Sequence, residues 1–302
     1  MYESTKVFKN VPQTKQQLRQ LLSAAGISPR HKWGQNFLID LNLMRLLVQS
    51  AHLKGDETVL EVGCGTGSLT ELLLEQAASV IAVEIDPDLH QIAASQILPN
   101  DKITFIEGDV LTNKNTISDS VFSCLATAQS RLPGPFFLIA NLPYQIASPL
   151  IVNLLLSEHM PDAFFVTVQA EVAQRILAQP GCKAYGLLTI LLQAIGNPQK
   201  IRDIKPQAFW PAPKVTSSMI SWRRDDEKCS ALNNLKVLKQ VIDVLLSHRR
   251  KKIRNCLTDK SVNRQLDLTL EILQQADIDP DARGDTLPPQ KFIQLANLYA
   301  EK

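Results

Sequence analysis

Cysteine is sparse and dispersed: Cys64, Cys124, Cys182, Cys229 and Cys256 stand far apart in a chain of 302 residues. An odd, scattered set excludes a disulfide framework, contains no pair at metal-ligand spacing and points to a reducing compartment. No apolar run is long enough to cross a bilayer, and Met1 to Lys15 has no hydrophobic signal core. A cytoplasmic protein with no membrane or metal partner is therefore expected. Internal repeats and low-complexity tracts are also missing. Charge of one sign is scarce as well: 32 Lys+Arg against 30 Asp+Glu leave a net +2. A nucleic-acid partner would therefore have to show itself in local basic clusters. What remains, 45% hydrophobic and 21% charged residues, is the composition of an ordinary globular protein. The length accommodates one large domain and a small one.

Helical apolar spacing runs from Thr14 to Ala25 and stops at Gly26, and a second helix is expected over Leu41 to Leu53. Short β-branched runs then alternate with helical stretches. Strands are expected at Thr58–Val62, Val80–Ile85, Ile103–Ile106, Phe136–Ala140 and Ala163–Val168. The helices between and after them are Ser68–Gln76, Leu89–Leu98, Ser148–Ser157, Glu171–Ala178 and Leu187–Ile195. This alternation means βαβ units and an α/β, doubly wound, mostly parallel sheet. Val215–Trp222 reads as a late strand on the far side of that sheet, and the polar stretch Arg223–Ser230 as a linker. Three helical stretches follow, Leu235–Cys256, Leu266–Gln275 and Pro289–Glu301, and form a small all-helical C-terminal domain. The segment Thr112–Pro135 has no assigned role.

Gly63-Cys64-Gly65-Thr66-Gly67 follows a strand and precedes a helix. Glycine lets the backbone turn sharply and approach a ligand, with helix N–H groups facing it. The tight Gly-x-Gly-x-Gly spacing disfavours a pyrophosphate, although it leaves NAD open. Glu84 ends the second strand 21 residues after Gly63, a spacing that suits a carboxylate accepting both hydroxyls of an adenosine ribose. Gly108-Asp109 ends the third strand. A plain turn beside a solvated acid is the alternative; the three features together favour an adenosine-type ligand at the carboxyl ends of the strands.

Asn141-Leu142-Pro143-Tyr144 ends the fourth strand beside the same crevice. An adenine amino group is a poor nucleophile because its lone pair is delocalised into the ring. Two acceptors on its hydrogens, the Asn141 side-chain oxygen and the Leu142 carbonyl, would localise that lone pair. Pro143 restricts Leu142 to extended conformations and so aims its carbonyl. Tyr144 offers a face for a splayed base, worth roughly 1–3 kcal/mol. An ordinary strand-to-helix turn is the other reading of these residues.

These segments resemble the small-subunit ribosomal RNA adenine dimethyltransferase family over nearly the whole chain. The resemblance is carried by His31-Lys32-Trp33-Gly34-Gln35-Asn36-Phe37-Leu38, the glycine loop, Val83-Glu84-Ile85-Asp86, Gly108-Asp109 and Asn141-Leu142-Pro143-Tyr144. Farther on it continues in Glu171-Val172-Ala173-Gln174-Arg175, Lys183-Ala184-Tyr185-Gly186, Pro211-Ala212-Pro213-Lys214-Val215 and Arg249-Arg250-Lys251-Lys252. It implies a Rossmann-like methyltransferase domain over 29–224, preceded by an extension with a helix over 1–28 and followed by a helical RNA-binding domain over 231–302. It also implies an S-adenosyl-L-methionine site lined by Gln35, Asn36, Leu38, Gly63, Gly65, Glu84, Ile85, Asp109, Val110 and Asn141. Phe209 is implied to face Tyr144 across the target base; core packing is the alternative for an aromatic. Ala170, Gln145 and Trp210 depart from the family pattern without touching the proposed methyl-transfer atoms.

Around the basic run, Arg249, Arg250, Lys251, Lys252 and Arg254 are the expected RNA contacts, on a helix whose cations spread over nearly two turns. A solvated helix end favoured by the macrodipole is the alternative. Lys200, Arg202, Lys205 and Lys214 are candidates to extend the patch. The implied partner is small-subunit ribosomal RNA or a pre-ribosomal particle, met by a monomer. Two further readings stay open: large-subunit adenine methylation of the antibiotic-resistance type, and a non-catalytic RNA-binding assembly or transcription factor. DNA adenine methylation is a weaker outsider.

Overall fold

The computed structural model describes residues 13–30, 33–263 and 266–300. The chain before Gln13 and the motif residues His31 and Lys32 lie outside these. The chain divides into two compact units, 1–170 with 200–221 and 171–199 with 222–302.

The first unit is built on a seven-stranded sheet whose outer strands continue into the second. In chain order the strands of the molecule are β1 (Phe37–Leu38), β2 (Thr58–Val62), β3 (Ser79–Glu84), β4 (Ile103–Glu107), β5 (Leu111–Asn113), β6 (Thr116–Ile117), β7 (Phe136–Asn141), β8 (Ala163–Gln169), β9 (Gly196–Ile204), β10 (Phe209–Trp210) and β11 (Ser217–Arg224). The large sheet has the order β4-β3-β2-β7-β8-β11-β9. The pairs β2–β3, β3–β4, β2–β7 and β7–β8 are parallel. The order reverses at β2, so β2, β3 and β7 present their carboxyl ends on either side of a switch point, where α/β sheets bind ligands.

Every residue of β2 is buried, which a central parallel strand covered on both faces requires. Helices α1 (Lys15–Ala24), α2 (Leu41–Ala51), α3 (Ser68–Leu74), α4 (Pro87–Gln96), α5 (Asp119–Arg131) and α6 (Ala147–Leu156) belong to this unit. Met44, Leu47, Val48 and Ala51 of α2 join Leu69, Leu72 and Leu73 of α3 against Val59, Val80, Phe137, Ile139 and Phe165. The stretch after β4, which reads in sequence only as a polar segment, contains the β5–β6 hairpin and α5, which packs against β2, β3 and β4.

The second unit holds α7 (Ala170–Ile176), which begins at the boundary, then α8 (Leu187–Ile195), α9 (Asp226–Ser230), α10 (Leu235–Leu246), α11 (Ile253–Leu257), α12 (Lys260–Asn263), α13 (Leu270–Gln275) and α14 (Pro289–Ala300). Helix α10 packs on both α8 and α14. Tyr185 is fully buried and donates its hydroxyl to Leu287 O at 2.7 Å, so the Lys183–Gly186 motif anchors this unit's core.

The fold departs from the sequence pattern elsewhere as well. The strand Gly196–Ile204 is unannounced: it occupies one end of the sheet, so β11 is not the far strand. The segment 223–230 is not a linker. Arg223 and Arg224 finish β11, and Asp225 caps α9 by accepting from Lys228 N, while Lys228 Nζ donates to the carbonyls of Gln193 and Gly196. Finally, Leu235–Cys256 is not one helix. It breaks after Leu246, because 247–252 has no apolar residue to hold a helical face, and the chain instead bridges Lys252 to Arg283 with Ile253 N donating to Ala282 O at 2.9 Å.

Candidate active site

The carboxyl ends of β2, β3 and β7 surround a cavity of about 340 Å³. Gly63, Gly65 and Gly67 all have left-handed φ, at 76°, 59° and 87°. All three also make room, Gly67 for Ile97 Cδ1 at 3.1 Å from an added Cβ. A Cβ on Gly63 would lie 3.1 Å from Pro143 Cγ, and one on Gly65 would lie 3.0 Å from Phe37 Cε1. The loop is clamped to the neighbouring strand by Gly63 N donating to Val83 O at 2.8 Å.

Glu84 is 4% exposed, and both its oxygens are held: Gly65 N donates to Oε2 at 2.8 Å and Asp86 N to Oε1 at 3.0 Å. Burial raises its pKa, and the same two N–H groups pull it back. Each carboxylate oxygen keeps a second acceptor position for a diol. Ile85, Asp109 and Val110 also line the cavity; Asp109 Oδ1 accepts from Leu111 N at 2.9 Å, which fixes the turn after β4.

The segment carrying Gln35, Asn36 and Leu38 forms another wall. Gln35 is engaged at both ends of its amide: Nε2 donates to Asp86 Oδ2 at 2.8 Å and Oε1 accepts from Arg30 N at 2.6 Å. Arg30 in turn bridges Asp86 and Asp88 and stacks over Trp33. Gln35 thus latches this wall to the N-terminus of α4.

Asn141 carries the most telling geometry. Its Nδ2 donates to Asn36 O at 3.0 Å, which sets the amide's orientation, and its Oδ1 is buried without a partner. A buried acceptor with nothing to accept costs about 1–3 kcal/mol, which a ligand hydrogen would recover. Leu142 is buried and its N–H donates to Thr167 O at 3.2 Å, so the backbone of the motif is tied to β8. Pro143 packs toward Gly63, and Tyr144 is half-buried with its hydroxyl 2.6 Å from Ser217 Oγ. Burial raises the Tyr144 phenol pKa. All four residues of the motif line the cavity.

Phe209 does not line this wall. It is 2% exposed, pairs with Leu38 in the β1–β10 ribbon and packs among Met44, Leu47, Ile204 and Met219. Among the lining residues that the sequence reading does not single out are Glu61 and Gln13. Glu61, an acid inside the otherwise apolar strand Thr58–Val62, is 1% exposed and accepts from Thr70 Oγ1 at 2.6 Å; burial raises its pKa to about 8. An acid amid apolar strand residues was the available signal. Gln13 had none.

The basic run lies in the second unit: residues 249–252 are in the turn between α10 and α11, and Arg254 is on the short helix α11. Lys252 and Arg254 pair with Asp281, and Arg249 approaches Asp285 at 3.9 Å. Arg250 and Lys251 are exposed. Such partly exposed pairs contribute little stability and are readily exchanged for phosphates. Lys200, Arg202, Lys205 and Lys214 belong to the first unit, with Lys200 paired to Asp203 at 2.9 Å.

A doubly wound sheet with a left-handed glycine loop, a buried carboxylate at the end of the next strand and an Asn-Leu-Pro-Tyr turn at the switch point defines a Rossmann-like methyltransferase. The family described as ribosomal RNA adenine dimethylase matches residues 27–301, and the chain belongs to that family. It is 33% identical over 291 residues to the ribosomal RNA small subunit methyltransferase A of Staphylococcus aureus (strain bovine RF122 / ET3-1), covering 96% of this chain and 95% of that one. The protein of the same name from S. aureus strain JH9 is also 33% identical, over the same 291 residues. Among solved structures, a dimethyladenosine transferase from Plasmodium falciparum superposes with a TM-score of 0.68 at 23% identity, covering 85% of this chain and 94% of that one. The 23S rRNA methyltransferase ErmE superposes with a TM-score of 0.61 at 23% identity, over 88% of this chain and 100% of that one. These two likenesses concern the fold.

Proposed function

We propose that this protein dimethylates the exocyclic amino groups of adenines, an adjacent pair, in small-subunit ribosomal RNA during ribosome biogenesis. It would work as a cytoplasmic monomer on a pre-ribosomal particle, with S-adenosyl-L-methionine as donor. The observation that carries the reading is the unpartnered, buried Oδ1 of Asn141, oriented by the bond from its Nδ2 to Asn36 O.

The residues fit the donor: a left-handed glycine loop packed too closely on Pro143 and Phe37 to carry side chains, whose backbone can approach a ligand, and a buried carboxylate with spare acceptor positions. Gln35, Asn36, Leu38, Gly63, Gly65, Glu84, Ile85, Asp109, Val110 and Asn141 would hold it, Glu84 through the ribose hydroxyls. When bound, the donor supplies an electrophilic methyl group on a sulfonium. Asn141 Oδ1 and the Leu142 carbonyl accept the two amine hydrogens and direct the nitrogen lone pair at that methyl. Pro143 keeps the Leu142 carbonyl aimed, and Tyr144, its ring steadied by Ser217, stacks on the base. Methyl transfer would make the nitrogen–carbon bond at the expense of the donor's carbon–sulfur bond and release one proton to solvent, so these residues would need to supply no strong base. Positioning and hydrogen-bond orientation supply the rate. Arg249, Arg250, Lys251, Lys252 and Arg254 would meet RNA phosphates.

The test is incubation with labelled donor and separated immature small and large ribosomal particles, followed by mass spectrometry of the adenines. Dimethylated adenines confined to small particles are expected. Label only in large particles would favour the antibiotic-resistance type of reaction, and none in either a non-catalytic factor.

A further inference from the structure

The N-terminal extension has no role in the reaction just described, yet its first described residue reaches the cavity. Gln13 lines it beside Gly65, Thr66 and Ser68 and is 7% exposed. Its Nε2 donates to Thr66 O at 3.0 Å, and its Oε1 accepts from Thr66 Oγ1 at 2.6 Å. Its backbone N–H donates to Ser68 Oγ at 3.4 Å. Thr66 stands between Gly65 and Gly67, two residues that take left-handed φ and resist distortion least. The glycine loop is therefore held from outside, by a side chain 53 positions away in sequence.

That side chain is itself anchored. Thr14 forms a capping box with Gln17 at the start of α1. Leu18 and Leu22 pack with Leu89 and against Phe37 and Ile39, and the Arg19 guanidinium lies 5.7 Å from the Trp210 ring. The helix thus touches the same Phe37 that abuts Gly65.

We propose that Gln13 is a positioning residue for the methyl donor: through Thr66 it pins the glycine loop, and α1 serves as the strap that closes this wall of the cavity. The proposal rests on reading the cavity as the donor site. Donor binding and the order of α1 are then coupled, so each stabilises the other.

The experiment uses the full chain, S-adenosylhomocysteine as a stable probe, and the variants Gln13→Ala and Gln13→Glu. Calorimetry should show the probe bound about tenfold more weakly by Gln13→Ala, as expected if the two neutral hydrogen bonds to Thr66 hold the loop in its binding-competent form. Gln13→Glu, which keeps the acceptor and loses the donor, should fall between. The donor KM should rise in step with Kd, with kcat at saturating donor changed far less. Hydrogen exchange of the Lys15–Ala24 amides should slow on probe binding in the unmodified protein and much less in Gln13→Ala. An unchanged Kd in Gln13→Ala, a fall in kcat without a rise in KM, or exchange in α1 that ignores the probe overturns the strap. If the unmodified protein binds no probe, the donor-site reading itself fails and the strap with it; binding there with an indifferent Gln13→Ala sinks the strap alone.

Discussion

At the scale of single residues the cavity wall leaves Asn141 Oδ1 buried without a partner, and likewise the Oγ1 of its cross-strand neighbour Thr167. Asn141 donates its Nδ2 to Asn36 O, and its buried Oδ1, without a partner, is the acceptor proposed for the substrate amine. Asn141→Ala should therefore bind donor within a few-fold of the parent yet lose about 10²–10³ in kcat, the scale for one oriented hydrogen-bond partner at a reacting centre. Near-normal turnover with labelled donor and RNA would remove the role. Glu84→Ala should do the opposite and mainly weaken donor affinity in calorimetry, since the carboxylate also braces Gly65 N and Asp86 N. Glu61 sets a pH dependence. Its folded pKa of about 8 exceeds the ordinary glutamate value of 4.5, so between those values the unfolded chain releases a proton that the folded chain keeps. Stability from this group is thus complete at low pH and lost as pH rises through the window. The melting temperature of Glu61→Gln should decline less steeply than the parent's across it; parallel curves would show that Glu61 ionises freely in the fold.

At the scale of elements, the glycine loop and the basic turn behave differently from their surroundings. Gly63→Ala meets both a left-handed φ of 76° and Pro143 Cγ at 3.1 Å. It should cost about 1–2 kcal/mol for the backbone alone, visible as a lower denaturation midpoint, and should widen the gap between loop and motif so that donor binding weakens too. β2 was legible to the residue because Thr58, Val59 and Val62 are β-branched, Leu60 adds an apolar residue and a glycine follows the strand. β9 was not: Pro198, Lys200, Arg202 and Asp203 make it polar, which an end strand tolerates and a central one does not. The helix expected through the basic run failed for a different reason. Its apolar spacing lapses between Leu246 and Ile253, and the chain found partners in 280–283 that no local pattern announces.

On the scale of the whole molecule, one unit carries the cavity and the other the basic turn. Replacing Arg249, Arg250, Lys251 and Lys252 together should weaken RNA binding and flatten its dependence on salt, by about 0.7–0.9 in log–log slope for each phosphate no longer neutralised. Arg250 and Lys251, which face solvent, should account for more of that change than Lys252, which already pairs with Asp281. A slope identical to the parent's would leave the turn a structural feature of its own unit.

Local pattern alone was enough for the succession of most strands and helices, for the glycine loop and for the Asn-Leu-Pro-Tyr turn. These depend on backbone preferences and burial periodicity, which act over a few neighbouring positions. Folding in three dimensions settled the rest. It joined Asn141 to Asn36 across 105 positions and Gln13 to Thr66 across 53. It buried Phe209 in the core rather than at the cavity wall, and it grouped residues 171–199 with the C-terminal helices. Such pairings come from packing and from the demand that buried polar groups find partners, and neither leaves a trace in residues adjacent along the chain.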